Sequence, residues 1–162
     1  MNTEGYGTIN MQKHNNNILN KVKIKLPAIS VNEGAARAMV SAFVAQQNPT
    51  FEELADIKCA VSEAITNCIV HAYSGNANGF IYISVTLFAT RHVRIEIRDR
   101  GCGIADVKKA REPLFTTDTT GERSGMGFSV MENFTDRLYV SSKVGEGTRV
   151  IMIKKLGKQA LD

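Results

Sequence analysis

Hydrophobic and polar residues alternate strictly at the start of the patterned part of the chain. Between Lys21 and Leu26, lysines occupy every second position, and Val, Ile and Leu occupy the others. This alternation predicts a half-buried strand with a solvated lysine face. Ser30 and Glu33 follow with the spacing of a capping box, which predicts a helix that runs toward Gln46.

A second helix is predicted directly after the first. Pro49 interrupts the chain, and Thr50 and Glu53 repeat the capping-box spacing. Apolar residues then recur at helical intervals over residues 57–68, as on the buried face of an amphipathic helix. We expect this helix to end before Gly75.

The rest of the pattern predicts two hairpins with helices and a loop between them. The predicted segments are strands at 79–87 and 93–97, a short helix at 107–111, a polar loop at 115–123, a helix at 125–134, and strands at 138–140 and 150–153. Runs of strands with helices that can pack on one face favour a two-layer α/β (α+β) sandwich over a doubly wound parallel sheet.

Composition is typical of a soluble globular protein, with 43% hydrophobic and 22% charged residues. We expect a cytoplasmic protein, because the N-terminus shows no secretory signal. The 162 residues fit one domain, and we expect it at 21–156, between a mobile N-terminal tail at 1–20 and a C-terminal tail at 157–162. The apolar runs are too short to span a bilayer, and the N-terminus lacks a secretory pattern. We therefore expect no membrane partner, and free thiols at the three cysteines. The net charge of +4 does not require direct nucleic-acid binding.

Three polar residues spaced by four, Glu63, Asn67 and His71, form a ridge on the second predicted helix. A solvated helix face accounts for such a ridge equally well. Apolar neighbours surround Asn67, however, and a polar amide at the edge of an apolar face usually has a partner. Magnesium is a candidate, because it needs few protein oxygens when phosphates and water complete its shell. Glu63 could then accept a proton from an attacking hydroxyl or water.

Asp99 comes at a strand end and is followed by Gly101 and Gly103. An ordinary glycine turn explains the motif without any ligand. In a functional interpretation, the carboxylate accepts a hydrogen bond from the exocyclic amine of adenine, and the glycines let the ring approach the backbone.

Ser124, Gly125, Met126 and Gly127 precede a predicted helix, with Arg123 just before them. Ser124 could simply be an N-cap. Alternatively, free amides and the positive end of the helix dipole could hold phosphates there. No Gly-Lys-Ser or Gly-Lys-Thr follows these glycines, so a Walker-type P-loop is disfavoured. The chain also lacks the motif set of ordinary protein kinases.

Each motif is common alone, but their order is specific. The series begins with Glu63-x-x-x-Asn67, continues with Asp99-x-Gly-x-Gly and Gly125-x-Gly, and ends with Gly145-x-Gly-Thr. It resembles the conserved boxes of the ATPase superfamily that contains gyrase B, Hsp90, histidine kinases and MutL. The segments 63–73, 113–117 and 122–128 resemble the anti-sigma-F factors, which are sporulation serine kinases of that superfamily. The resemblance covers about residues 22–155.

This resemblance implies a Bergerat-type sandwich with a mixed, mainly antiparallel sheet, an ATP/ADP site and Mg²⁺. It implies Glu63 as catalytic base, Asn67 as magnesium ligand, Asp99 as adenine reader and Arg37 as the contact for both protein partners. The implied nucleotide-binding residues are Asn67, Asp99, Gly101, Gly103, Thr116, Thr117, Arg123, Ser124, Gly125, Met126, Gly127 and Thr148.

The partners implied by the resemblance are a sigma factor and an anti-anti-sigma protein. The resemblance also implies a homodimer. Arg100 departs from the family pattern, because relatives often carry an acid there.

A sensor histidine kinase needs a helical hairpin with a phosphorylatable histidine, which a 20-residue tail cannot supply. A stress-response anti-sigma kinase and a nucleotide-dependent binding module without phosphoryl transfer stay open as alternatives.

Overall fold

The computed structural model describes residues 17–76, 78–113 and 127–157. The helices and strands in this part are β1 (Ile18–Pro27), α1 (Val31–Val44), α2 (Phe51–Asn67), β2 (Phe80–Phe88), β3 (His92–Arg98), α3 (Val107–Ala110), α4 (Gly127–Phe134), β4 (Arg137–Lys143) and β5 (Gly147–Lys155). A 3₁₀ turn, Ala45–Gln47, follows α1, and a π-helical turn, Cys68–Ala72, continues α2.

The strands form one sheet in the order β1-β2-β3-β5-β4. Every pairing in it is antiparallel, so the predicted mainly antiparallel sheet is confirmed. The two predicted hairpins are β2–β3 and β4–β5, and β1 joins the edge of β2. Asp99 lies directly after β3, at the end where β3 meets the start of β5.

One face of the sheet carries the core, and the helices pack on it. Its buried side chains are Ile81, Ile83, Val85, Leu87, Val93, Ile95, Ile97, Val150 and Met152. Val40, Ile57, Val61 and Ile65 of α1 and α2 are buried against them. The three lysines of β1 are exposed, and their β2 partners lie on the opposite face of the sheet from the core. The alternation seen in β1 therefore follows the two faces of the sheet.

The capping box predicted for α2 forms as expected. Thr50 N–H donates to the Glu53 carboxylate at 2.8 Å, and Glu53 N–H donates to the Thr50 hydroxyl at 3.1 Å. The box predicted for α1 is wrong, because the Ser30 side chain makes no capping hydrogen bond. The Glu33 carboxylate instead contacts α2, where it accepts from Ser62.

Several predicted boundaries shift by a few residues. β1 begins at Ile18, so three residues assigned to the N-terminal tail belong to the sheet. The predicted loop at 115–123 lies outside the described residues, as does the start of the helix predicted from Gly125. Within the described ranges, no helix is long and apolar enough to cross a membrane.

Candidate nucleotide-binding and catalytic site

Glu63 and Asn67 lie on the last turns of α2, one turn apart and half-buried. Both side chains face the first residue of α4. A Cβ added to Gly127 would lie 3.2 Å from a Glu63 carboxylate oxygen and 3.4 Å from the Asn67 side-chain oxygen. A side chain at Gly127 would therefore fill the space in front of both polar groups. Glu63 and Asn67 are brought together with the glycine predicted to meet phosphate.

Asp99 is almost fully buried, with 4% of its surface exposed. Its Oδ1 accepts hydrogen bonds from the backbone N–H of Gly101 at 2.9 Å and of Thr148 at 3.1 Å. Its Oδ2 accepts from the Cys68 thiol at 3.6 Å. Burial raises the pKa of the Asp99 carboxyl above its ordinary value, and these three hydrogen bonds oppose the rise.

Thr148 joins this arrangement from β5. Its carbonyl accepts from the Asp99 N–H at 3.0 Å, so the two residues bond each other through backbone and side chain. The Thr148 hydroxyl lies 2.8 Å from the hydroxyl of Ser142 on β4. Ser142 was not predicted from the sequence, since a serine in an alternating strand carries no distinctive signal.

Gly101 and Gly103 contact protein backbone. A Cβ on Gly101 would overlap the carbonyl oxygen of Ala72 in the π-helical turn. Gly103 has a φ of +73°, and a Cβ there would overlap the carbonyl of Lys143. Besides the predicted room for an adenine ring, these two glycines therefore have a structural explanation. They let the loop after β3 pack on two neighbouring segments.

Arg37 on α1 is 43% exposed in its side chain and belongs to a small polar cluster. Its Nη1 lies 3.3 Å from a Glu33 carboxylate oxygen and donates to the Ser62 hydroxyl at 3.4 Å. Ser62 in turn donates to Glu33. Glu33 and Ser62 were not predicted as part of the site, because only the packing of α1 on α2 joins them to Arg37.

Arg37 and Glu63 line the same groove. This groove lies between α1, α2 and α4 and has a volume of about 540 Å³. Lys58, Cys59 and Phe134 also line it. The sequence placed the partner anchor and the catalytic base on two separate helices, whereas the packing of those helices puts both beside one opening.

Six predicted site residues lie outside the described part of the chain. They are Thr116, Thr117, Arg123, Ser124, Gly125 and Met126. Apart from Arg37, the described site residues divide into two groups, with Glu63, Asn67 and Gly127 in one. Asp99, Gly101, Gly103 and Thr148 form the other, and Cys68 follows Asn67 directly and contacts Asp99.

The donor set at this site suits a magnesium nucleotide. Asp99 offers a buried acceptor for an exocyclic amine, and the space left by Gly127 faces the oxygens of Asn67 and Glu63. Across the described ranges, no group of three or more His, Cys, Asp or Glu side chains could hold a metal ion.

Comparisons with known proteins identify the family of this chain. A family model described as the histidine kinase-like ATPase domain matches residues 26–154. An anti-sigma F factor from Anoxybacillus flavithermus is 51% identical over 139 residues, covering 86% of this chain and 94% of the relative. The anti-sigma F factor of Priestia megaterium is 48% identical over 137 residues, covering 85% of this chain and 93% of the relative.

Solved structures share the fold at low sequence identity. The RsbU and RsbW domains of a Mycobacterium tuberculosis protein superpose with a TM-score of 0.64 at 20% identity, over 87% of this chain and 34% of that one. A blue-light activated histidine kinase from Erythrobacter litoralis gives 0.55 at 21% identity, over 83% of this chain and 43% of that one. With a family model across most of its length and relatives about half identical over nearly their whole length, this chain belongs to the anti-sigma F factors of the histidine kinase-like ATPase domain family.

Proposed function

We propose that this protein binds and inhibits a sporulation sigma factor and, as an ATP-dependent serine kinase, phosphorylates and inactivates an anti-anti-sigma protein. The observation that carries the proposal is the groove shared by Arg37 and Glu63. A protein partner held at Arg37 would lie beside the candidate catalytic base. Relatives at 48–51% identity are anti-sigma F factors, which favours the sporulation type over the stress-response type.

Three of the described site residues, Glu63, Asn67 and Asp99, have distinct roles in the proposed reaction. The acceptor serine oxygen bonds to the γ-phosphorus of ATP, the bond from that phosphorus to the β–γ bridging oxygen breaks, and ADP leaves. Glu63 accepts the proton of the serine hydroxyl. Asp99 accepts a hydrogen bond from the adenine amine. The Asn67 oxygen would hold Mg²⁺, and the ion would supply positive charge that stabilises the phosphates.

Arg37 serves both protein partners in this proposal. A guanidinium binds carboxylates or backbone carbonyls with a fixed geometry, so it suits an interface anchor. Two partners that use one anchor compete for it. Bound ATP or ADP could bias the choice with a coupling free energy on the order of 1–3 kcal/mol. We further propose that the protein acts in the cytoplasm as a homodimer.

The test is transfer of labelled γ-phosphate from ATP to the anti-anti-sigma protein in a single turnover. Glu63→Gln keeps the shape of the side chain but cannot accept the proton, so we expect transfer to fall by about 10²–10⁴-fold with little change in ATP affinity. Glu52→Gln, in the first turn of the same helix, is the matched control. Near-wild-type transfer by Glu63→Gln would remove the base from the mechanism. Absence of transfer by the wild type would leave a nucleotide-dependent binding module.

A further inference from the structure

Cys68 lies at the junction of the two groups of site residues. It is the first residue of the π-helical turn and follows Asn67 directly. Only 4% of its surface is exposed, and its Sγ lies 3.6 Å from Oδ2 of Asp99. The contact joins the end of α2 to the end of β3, two elements that are far apart in sequence.

The Cys68 side chain is a buried thiol that points at the Asp99 carboxylate. A protonated thiol is a weak hydrogen-bond donor, and a carboxylate is an acceptor. The S–H group therefore donates to Asp99.

The two oxygens of Asp99 are held in different ways. Two backbone N–H groups, of Gly101 and Thr148, donate to Oδ1, and these hold one side of the carboxylate. The thiol is the donor to Oδ2. A carboxylate oxygen can accept about two hydrogen bonds, so Oδ2 keeps one acceptor direction for a ligand while the thiol sets its orientation.

We infer that Cys68 is a positioning residue for base recognition: its thiol orients Oδ2 of Asp99 and so strengthens selection for a purine that carries an exocyclic 6-amino group. This rests on the proposed function, in which Asp99 reads adenine. A role for Cys68 in packing alone would not require the hydrogen bond from its thiol to Oδ2. A methyl group in its place would fill part of the same space but could donate nothing.

The test compares two ligands that differ only in the amino group. Calorimetry measures the dissociation constants of ATP and of purine riboside triphosphate, which lacks the 6-amino group, for each variant. We expect the wild type to prefer ATP, and Cys68→Ala to reduce that preference about threefold to tenfold, as for one lost hydrogen bond of ordinary strength. Cys68→Ser retains a donor and should keep most of the preference.

The control is Thr135→Val, which removes a half-buried side-chain donor to the Met131 carbonyl and should leave the preference unchanged. If Cys68→Ala is unstable, Cys68→Val fills the site without a donor and carries the same expectation. Equal weakening of both ligands, together with a lower Tm, would show a packing role only and overturn the inference. A Cys68→Ala variant with the wild-type preference would also overturn it. A wild type that does not distinguish the ligands would instead refute the adenine role of Asp99, and the inference with it.

Discussion

Reversing the charge of Arg37 tests whether one side chain anchors both protein partners. The guanidinium lies 3.3 Å from the Glu33 carboxylate and 3.4 Å from the Ser62 hydroxyl. Arg37→Glu removes both interactions and places a new carboxylate one helical turn from Glu33. It also removes one of the positive charges from the groove that Glu63 lines.

The cost of this substitution to folding is small. A partly exposed i,i+4 pair contributes about 0.3–0.5 kcal/mol, and a like-charge pair at this spacing costs a similar amount. We therefore expect the free energy of unfolding to fall by about 1 kcal/mol at most. Loss of an arginine anchor from an interface costs about 2 kcal/mol or more, which is roughly a 30-fold increase in Kd. The binding effect should exceed the folding effect.

The assay titrates the sigma factor, the anti-anti-sigma protein and ATP separately against Arg37→Glu. We expect both partner affinities to fall about 30-fold while ATP affinity stays close to wild type. Lys58→Glu reverses another charge in the same groove and should cost less, because Lys58 is not the proposed anchor. Loss of only one partner would refute a shared anchor. Equal losses in both variants would assign the effect to the charge of the groove, and loss of ATP binding would indicate misfolding.

Two further substitutions test the nucleotide site and the loop after β3. Asn67→Ala should weaken binding of magnesium-ATP and reduce the dependence of that binding on magnesium concentration, since it removes the proposed protein oxygen ligand. Calorimetry at several magnesium concentrations measures this dependence. An unchanged dependence would contradict the role of Asn67. Gly101→Ala should cost about 1–3 kcal/mol, a Tm decrease of roughly 3–9 °C, because its Cβ would overlap the Ala72 carbonyl. Gly34→Ala is the control, since its Cβ has room within α1 and should leave Tm unchanged or higher. An unshifted Tm in Gly101→Ala would contradict the close packing of that loop.

Local sequence patterns predicted most of the helices and strands. The alternation in β1 and the Thr50–Glu53 capping box depend on residues a few positions apart, and both appear in the structure as expected. The box predicted at Ser30 and Glu33 has the same spacing but does not form. Glu33 bonds Ser62 on α2 instead, so tertiary packing overrode a local preference.

For the candidate site, the sequence likewise suggests individual residues but does not show the contacts between them. Asp99 could be singled out because a carboxylate followed by glycines stands at a strand end, and Glu63 and Asn67 because their spacing places them on one helix face. Neither pattern predicts the two long-range hydrogen bonds to Asp99. The Cys68 thiol donates from 31 residues away in sequence, and the Thr148 N–H donates from 49 residues away.

The sequence by itself therefore determined most of the strands and helices and the order of the motifs, because the periods of strand and helix are properties of the backbone over a few residues. Only the tertiary structure decided which side chains meet. The packing of α1 on α2 created the Arg37–Glu33–Ser62 cluster, and the approach of the α2 end to the β3 end placed a thiol on a buried carboxylate. Such contacts depend on how elements from distant parts of the chain pack their faces together, and no spacing within either element contains that information.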